Sequence, residues 1–151
     1  MIQQQAKKTL PPLVKTITVP LSVEHAFRRF TEEIATWWPL ETHSVGEKNA
    51  ATVTFECKIS GQIFETLKSG ETSLWGTVRE WEPPNRVVFS WHPGGEPDTA
   101  TEVEITFSDR DGKTEVVVTH SGWETFGEKA EETRGGYDKG WDYVLGKYVP
   151  R

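Results

Sequence analysis

Two hydrophobic periods divide the chain, one typical of helices and the other typical of strands. A short apolar run at 13–19 predicts a first strand. Apolar residues then recur at helical spacing from Val23 to Trp38, which predicts helical structure with one buried face. Ser22 is a good N-cap for this stripe, and Pro39 ends it. Because the stripe is longer than about four helical turns, it fits one bent helix or two short ones.

From residue 51 to residue 120 the apolar side chains recur at every second position, as in half-buried strands. Clusters of Gly, Pro and Asn interrupt this pattern and predict short turns. The predicted strands cover 51–59, 62–67, 72–82, 86–92, 99–107 and 113–120. Consecutive strands joined by short turns predict an antiparallel meander. The polar stretches 40–50 and 121–132 are predicted to be loops.

A second helical stripe, over 137–148, closes the chain. Four glycines at 135, 136, 140 and 146 lie in or beside it, and they either allow a close approach or are tolerated by the packing. The order strand, helices, strands, helix predicts an α+β fold. A curved antiparallel sheet would wrap around the long C-terminal helix, with two short helices after the first strand.

A single helix laid on a curved sheet leaves room for a hollow lined by large aromatic side chains. We predict ligand binding by the aromatic residues Trp37, Phe55, Trp75, Phe89, Trp91, Phe107, Trp123, Tyr137 and Trp141. The alternative is that these rings fill the space themselves and leave no cavity.

The two faces of the strand at 72–82 are nearly balanced in hydrophobicity. We expect Leu74 and Val78 to point inward. Trp75 and Trp81 are then partly exposed or packed elsewhere.

Charge and cysteine content exclude several classes of function. The 151-residue chain has a net charge of −6, which disfavours a surface for nucleic acid or for anionic membranes. One cysteine, Cys57, excludes an internal disulfide and a thiolate metal cluster. No apolar run approaches the roughly 18 residues of a membrane span. We therefore expect a cytoplasmic protein with a flexible leader at 1–12 and a single domain at 13–151.

The sequence contains no motif for a metal, a cofactor or a nucleophilic serine. The four histidines are not at metal-ligand spacing, and no phosphate-binding or dinucleotide-binding glycine motif is present. His92 and His120 end strands that run in the same direction, so we expect them at one sheet edge, roughly 10 Å apart. They are candidates for acid–base chemistry, and the alternative is that they only bind loop backbone. No residue is assigned as catalytic.

Several motifs resemble one protein superfamily. They are GTVREWEPPNRVVFSW at 76–91, VVVTHSGW at 116–123, Gly-Trp at 140–141 with Leu145, and Trp-Trp-Pro at 37–39. Over roughly residues 13–149 the chain resembles the START-like, polyketide-cyclase-like (SRPBCC) helix-grip superfamily. Within it, the chain is similar to homologues of the activator of the heat-shock protein 90 ATPase. The resemblance implies the helix-grip fold and a cavity for a small ligand, and it carries no shared catalytic motif.

The favoured function is non-catalytic binding of a small hydrophobic or amphipathic molecule between the sheet and the C-terminal helix. One alternative is a cyclase-type or hydrolase-type enzyme that uses His92 or His120 in that cavity. Another, which rests on the family resemblance alone, is a co-chaperone that stimulates the heat-shock protein 90 ATPase and has that chaperone as its partner. Assembly into a homodimer is left open.

Overall fold

The computed structural model describes residues 9–150, so most of the predicted leader at 1–12 lies outside the described residues. The strands are β1 (Leu13–Val19), β2 (Ala50–Phe55), β3 (Gln62–Leu67), β4 (Thr72–Glu82), β5 (Arg86–Trp91), β6 (Thr101–Arg110) and β7 (Lys113–Ser121). The α-helices are α1 (Val23–Phe30) and α2 (Ala130–Tyr148). None of the helices in this part of the chain combines the length and the apolar character needed to cross a membrane.

The strands form one antiparallel sheet in the order β1-β7-β6-β5-β4-β3-β2. Strands β2 to β7 each pair with their neighbour in the chain, so the predicted meander is confirmed, and β1 returns to pair with β7. The turn between β6 and β7 places Asp111 and Gly112 at φ 54° and 85°. Two positive φ values in a row are those of the tight turn that matches the twist of a hairpin.

The first hydrophobic stripe folds into two pieces. The Ser22 hydroxyl caps α1 by accepting a hydrogen bond from the His25 backbone N–H at 3.1 Å. After α1 ends, a 3-10 turn at Ile34–Thr36 carries the chain to Trp37 and Trp38. The sheet curls around α2, and the fold is the α+β helix-grip arrangement that the sequence predicts.

Several predicted boundaries differ from those in the structure; strand β6, for example, runs over Thr101–Arg110 and not over 99–107. Strand β2 ends at Phe55 and not at residue 59, and Ile59 beyond it is 62% exposed. The predicted strand is too long because the alternation of apolar and polar residues continues past the last residue that pairs with β3. The predicted loop at 121–132 holds a 3-10 turn at Trp123–Lys129 and the first residues of α2. Two of its acidic residues, Glu131 and Glu132, fall in the first turn of α2, where the helix dipole favours negative charge.

The inward face of β4 also differs from the prediction. Trp75 is fully buried and Leu74 only half-buried, whereas Val78 is buried as expected. The pairing with β3 skips Trp75, and the pairing with β5 skips Arg79. Each extra residue is a β-bulge that shifts the alternation by one position. The inward positions are therefore three residues apart, which also turns Trp81 against the core.

Helix α2 is tied to the rest of the fold at its C-terminal end and near its middle. The Tyr148 hydroxyl donates a hydrogen bond to the Ala26 carbonyl oxygen at 2.6 Å. Lys15 on β1 forms ion pairs with Asp138 and Asp142. These contacts fix α2 against the sheet, and the cavity described next lies between α2 and the strands β4 and β5.

Candidate functional site

An open apolar cavity of about 330 Å³ lies between α2, the strands β4 and β5, and the loop that precedes β2. Its wall consists of Trp38, His43, Ser44, Val45, Trp75, Trp91, Pro93, Gly94, Tyr137, Gly140, Trp141 and Val144. The volume is at the lower end of the range for small-molecule sites, about 300–1,000 Å³. The lining contains no Lys, Arg, Asp or Glu, so it favours a ligand without a bare charge.

Four of the nine predicted ligand-binding residues line this cavity. They are Trp75, Trp91, Tyr137 and Trp141. The other five are buried in the core away from the cavity wall: Trp37, Phe55, Phe89, Phe107 and Trp123. Some of the aromatic rings therefore fill the interior, while others surround a hollow. Contact with a ligand stays a prediction for all nine.

The indoles of the wall pack against one another. The ring centroid of Trp38 lies 5.4 Å from that of Trp75 and 5.9 Å from that of Trp91. The centroids of Trp91 and Trp141 are 6.5 Å apart. These tilted contacts are in the favourable range for aromatic pairs. Because each ring supports the next, the cavity has a preformed wall that suits a flat aromatic molecule.

Loops supply most of the wall residues that sequence reasoning missed; the others are Trp38 and, on α2, Gly140 and Val144. His43, Ser44 and Val45 precede β2, and Pro93 and Gly94 follow β5. Loop residues follow no hydrophobic period, so no pattern could have marked them. His43 stacks on Tyr143 with ring centroids 4.8 Å apart and planes 10° apart. Partial burial lowers the pKa of His43, which favours its neutral form.

The buried carboxylate of Glu65 holds the first of these loops in place. Its two oxygens accept hydrogen bonds from the backbone N–H groups of Val45 at 2.7 Å and Gly46 at 2.9 Å. They also accept one from Trp75 Nε1 at 2.7 Å. Glu65 is 0% exposed. One side chain thus joins the loop at the mouth of the cavity to an indole of its wall.

His120 is buried in the core and forms a hydrogen bond with Trp141, a residue of the cavity wall. Trp141 Nε1, which can only donate, gives a hydrogen bond to His120 Nδ1 at 2.9 Å. The imidazole proton is therefore on Nε2, which donates to the Thr101 hydroxyl at 2.6 Å. Thr101 in turn donates to the Trp91 carbonyl oxygen at 3.1 Å. Burial lowers the pKa of His120 to about 3, so the ring is neutral.

Neither predicted histidine candidate reaches the cavity wall. Both ring nitrogens of His120 are already bonded, and His92 is buried with its Nδ1 unpaired. Neither residue is part of the lining. Among the residues that the structure describes, no group of three His, Cys, Asp or Glu could hold a metal ion.

Comparison with known families gives one match over most of the chain. The family described as activator of Hsp90 ATPase homolog 1-like protein matches residues 20–147. No protein of curated function matches the sequence.

Several solved structures share the fold. CalC from Micromonospora echinospora, described as a self-sacrificing resistance protein, is 28% identical with a TM-score of 0.69, over 91% of each chain. Txn09, described as an anthrahydroquino-γ-pyrone synthase, is 31% identical with a TM-score of 0.60, over 86% of this chain and 88% of its own. Protein MLL2253 from Mesorhizobium loti is 16% identical with a TM-score of 0.64, over 91% of this chain and 93% of its own. At that identity the likeness concerns the fold alone.

Proposed function

This chain belongs to the family of activator of Hsp90 ATPase homolog 1-like proteins, and from that premise we propose that it binds a small hydrophobic or amphipathic ligand without catalysing a reaction on it. The site is the cavity between the sheet and α2. The observation that carries the proposal is an open apolar hollow of about 330 Å³ with four indoles in its wall.

The chemistry of the wall supports binding rather than catalysis. The Ser44 hydroxyl donates to the Leu40 carbonyl oxygen at 2.6 Å and accepts from the Glu47 N–H at 2.8 Å, so it is held in the loop. The rest of the lining is mostly aromatic and aliphatic. Such a surface gains free energy by removing apolar ligand area from water, at about 25 cal/mol per Å².

The name of one relative supports a ligand of the polycyclic kind. Txn09 is named for the synthesis of an anthrahydroquino-γ-pyrone. We propose that this chain also binds a flat, multi-ring molecule, because indole faces are well suited to stacking on one.

A cyclase-type enzyme is the second candidate. It is favoured by the likeness to Txn09 and by His43, whose imidazole lines the cavity. The two candidates differ in whether the bound molecule changes. A ligand recovered with unaltered mass and unaltered chromatographic retention after prolonged incubation supports binding alone, and a new chromatographic peak, with or without a change of mass, supports the enzyme. Stimulation of the heat-shock protein 90 ATPase, a chaperone partner and a homodimer stay predictions.

Gly140 provides a direct test of the cavity. A Cβ added at Gly140 meets nothing closer than His43, at 3.9 Å, so a larger side chain there enters the hollow. We expect Gly140→Leu to weaken binding of 1-aminoanthracene at least tenfold, a loss of about 1.4 kcal/mol. The measurement is a fluorescence titration of the probe, with energy transfer from the tryptophans as a second readout.

The matched control is Gly136→Leu. Gly136 is exposed on the same helix, and nothing lies within 4 Å of an added Cβ. Both variants gain similar helix propensity, about 1 kcal/mol, so they differ mainly in the cavity. Equal affinities of the two variants, or no saturable binding to the unaltered protein, would contradict the proposed function.

A further inference from the structure

A second hollow lies beside α1 and is separate from the cavity between the sheet and α2. This hollow, the α1 groove, is open to solvent and has a volume of about 420 Å³. It lies between α1, the segment that follows β2 and the turn that joins β4 to β5. Its lining consists of Glu24, Phe27, Arg28, Thr31, Glu32, Cys57, Trp81, Pro83 and Pro84. None of these nine residues lines the first cavity, so the two hollows can hold different molecules.

The apolar part of the α1 groove is built on an aromatic pair. The ring centroids of Phe27 and Trp81 lie 5.0 Å apart in an edge-to-face contact, and Pro83 and Pro84 extend this surface. Six of the seven tryptophans of the chain are buried, and Trp81 alone is partly exposed. An accessible indole offers apolar contact area to a ligand and attracts a cation through the negative face of its ring.

Carboxylates give the α1 groove its charge. Glu24 and Glu32 are exposed, and neither forms an ion pair with another residue of the described range 9–150. Arg28 also lines the groove, but its Nε donates to Glu33 at 3.2 Å, so its charge is already paired. Burial, with a smaller effect of the Glu32 charge, raises the pKa of the Cys57 thiol, which therefore stays neutral. The lining as a whole favours a cation.

We propose that the α1 groove is a second binding site, and that it takes a small hydrophobic amine in its ammonium form. The ammonium group pairs with the carboxylates of Glu24 and Glu32, and the apolar tail covers Trp81 and the two prolines. The volume lies within the range of small-molecule sites, about 300–1,000 Å³. The proposal concerns other residues and another class of ligand than the first cavity, so it does not rest on the proposed function.

The charge of the lining discriminates between molecules with the same tail. A carboxylate ligand is repelled by Glu24 and Glu32, and an alcohol gains the apolar contact without the charge interaction. Because both carboxylates are exposed, the charge interaction is modest and is screened by salt. The affinity for an amine is therefore expected to depend on ionic strength, whereas the affinity for the alcohol is not.

The test compares 4-phenylbutylamine, 4-phenylbutan-1-ol and 4-phenylbutyrate, which share one tail. Binding is followed by ¹H–¹⁵N NMR of the indole N–H signals, because Trp81 reports on the α1 groove while Trp91 and Trp141 report on the first cavity. At Trp81 we expect the amine to bind about tenfold more tightly than the alcohol, and 4-phenylbutyrate to give no saturable shift. Raising NaCl from about 20 mM to about 500 mM is expected to weaken amine binding at least about threefold.

Substitutions of the carboxylates isolate the charge. Glu24→Gln and Glu32→Gln are each expected to weaken binding of the amine about threefold and to leave binding of the alcohol unchanged. The matched control is Glu102→Gln, on an exposed residue of β6 outside the groove, which is expected to change neither. Trp81→Phe is expected to weaken both ligands. The glutamates are exposed, so their variants decide the question even if Trp81→Phe does not fold.

A further ligand distinguishes a free amine from a lysine side chain of a protein partner. Nα-acetyl-lysine methylamide has the ammonium group without the aromatic tail. We expect it to bind at least about tenfold more weakly than 4-phenylbutylamine, because it leaves most of the apolar surface uncovered. Equal affinities of the two would assign the α1 groove to lysine side chains and overturn the proposal.

The other outcomes are equally decisive. Equal affinities of the amine and the alcohol at Trp81, or unchanged amine binding in both glutamine variants, overturn the proposal. An amine that shifts the signals of Trp91 and Trp141 but not that of Trp81 also overturns it. Saturating 1-aminoanthracene, the probe of the first cavity, is expected to leave the Trp81 titration unchanged. Failure of the amine site and failure of the proposed function are thus observed separately.

Discussion

Acidification from pH 6.5 to pH 3 is expected to remove about 4 kcal/mol of folding free energy through His120 alone. Burial lowers the pKa of this imidazole from its ordinary 6.5 to about 3. Between these pH values the unfolded chain binds a proton that the folded protein does not. Stability is therefore complete above pH 6.5 and falls as the pH decreases, by up to about 1.4 kcal/mol per pH unit.

The hydrogen bonds of His120 explain why the folded state rejects the proton. Nδ1 accepts from Trp141 Nε1, so a proton on Nδ1 would face another donor. Nε2 already donates to Thr101, and no carboxylate contacts the ring among its described partners. A buried imidazolium would thus lose a hydrogen bond and its hydration without gaining a counter-charge.

The measurement is the free energy of unfolding in urea at several pH values between 7.5 and 4.5, for the unaltered protein and for His120→Gln. We expect the stability difference between them to shrink by about 2–3 kcal/mol between pH 6.5 and pH 4.5. The lowered pKa values of His43 and Asp138 act in both proteins and cancel. His25→Gln, on the half-buried His25 of α1, is the control substitution. Parallel pH profiles of stability for the unaltered protein and His120→Gln would show that His120 does not cause the loss of stability on acidification.

Glu65→Gln is expected to destabilise the protein by about 3 kcal/mol, because each buried donor that loses its acceptor costs about 1–3 kcal/mol. The carboxylate has only acceptors, and it serves three N–H donors, from Val45, Gly46 and Trp75. The Gln amide replaces one oxygen by an NH₂ group, which points a donor at a donor. The conservative substitution therefore does not preserve the site.

The effect is local as well as global. In Glu65→Gln we expect the amide hydrogens of Val45 and Gly46 to exchange faster, and 1-aminoanthracene to bind more weakly as the loop at the cavity mouth loosens. Urea unfolding and hydrogen exchange measure the two effects. Glu102→Gln, on the exposed Glu102 of β6, is the control and is expected to change stability by less than about 0.5 kcal/mol. Unchanged protection at Val45 and Gly46 would show that Glu65 does not hold this loop.

The hydrophobic pattern of the sequence was sufficient to predict most of the helices and strands. The bounds of β1, β3 and β4 match the predicted ones, and Ser22 caps α1 as its side chain predicts. These features depend on hydrophobic periodicity and on backbone sterics, which are properties of neighbouring residues. Aromatic side chains on the strands and on α2 likewise pointed to part of the cavity wall, including Trp91 and Trp141.

The inward face of β4 required the tertiary structure. An alternating pattern assumes one residue opposite one residue, and the bulges at Trp75 and Arg79 break that assumption. No local signal distinguishes a bulged strand from a regular one when both faces carry large side chains.

By itself, the sequence determined the element order, the helix-grip architecture and the concentration of aromatic residues around α2, because short-range periodicity encodes which side chains are buried. Only the tertiary structure decided which rings surround a hollow, which loops close it and which polar atoms are paired. Those outcomes depend on contacts such as Glu65 with Val45 and Trp141 with His120, 20 and 21 residues apart in the chain. Hydrogen bonds over such separations form only once the sheet has curled, so no local pattern carries them.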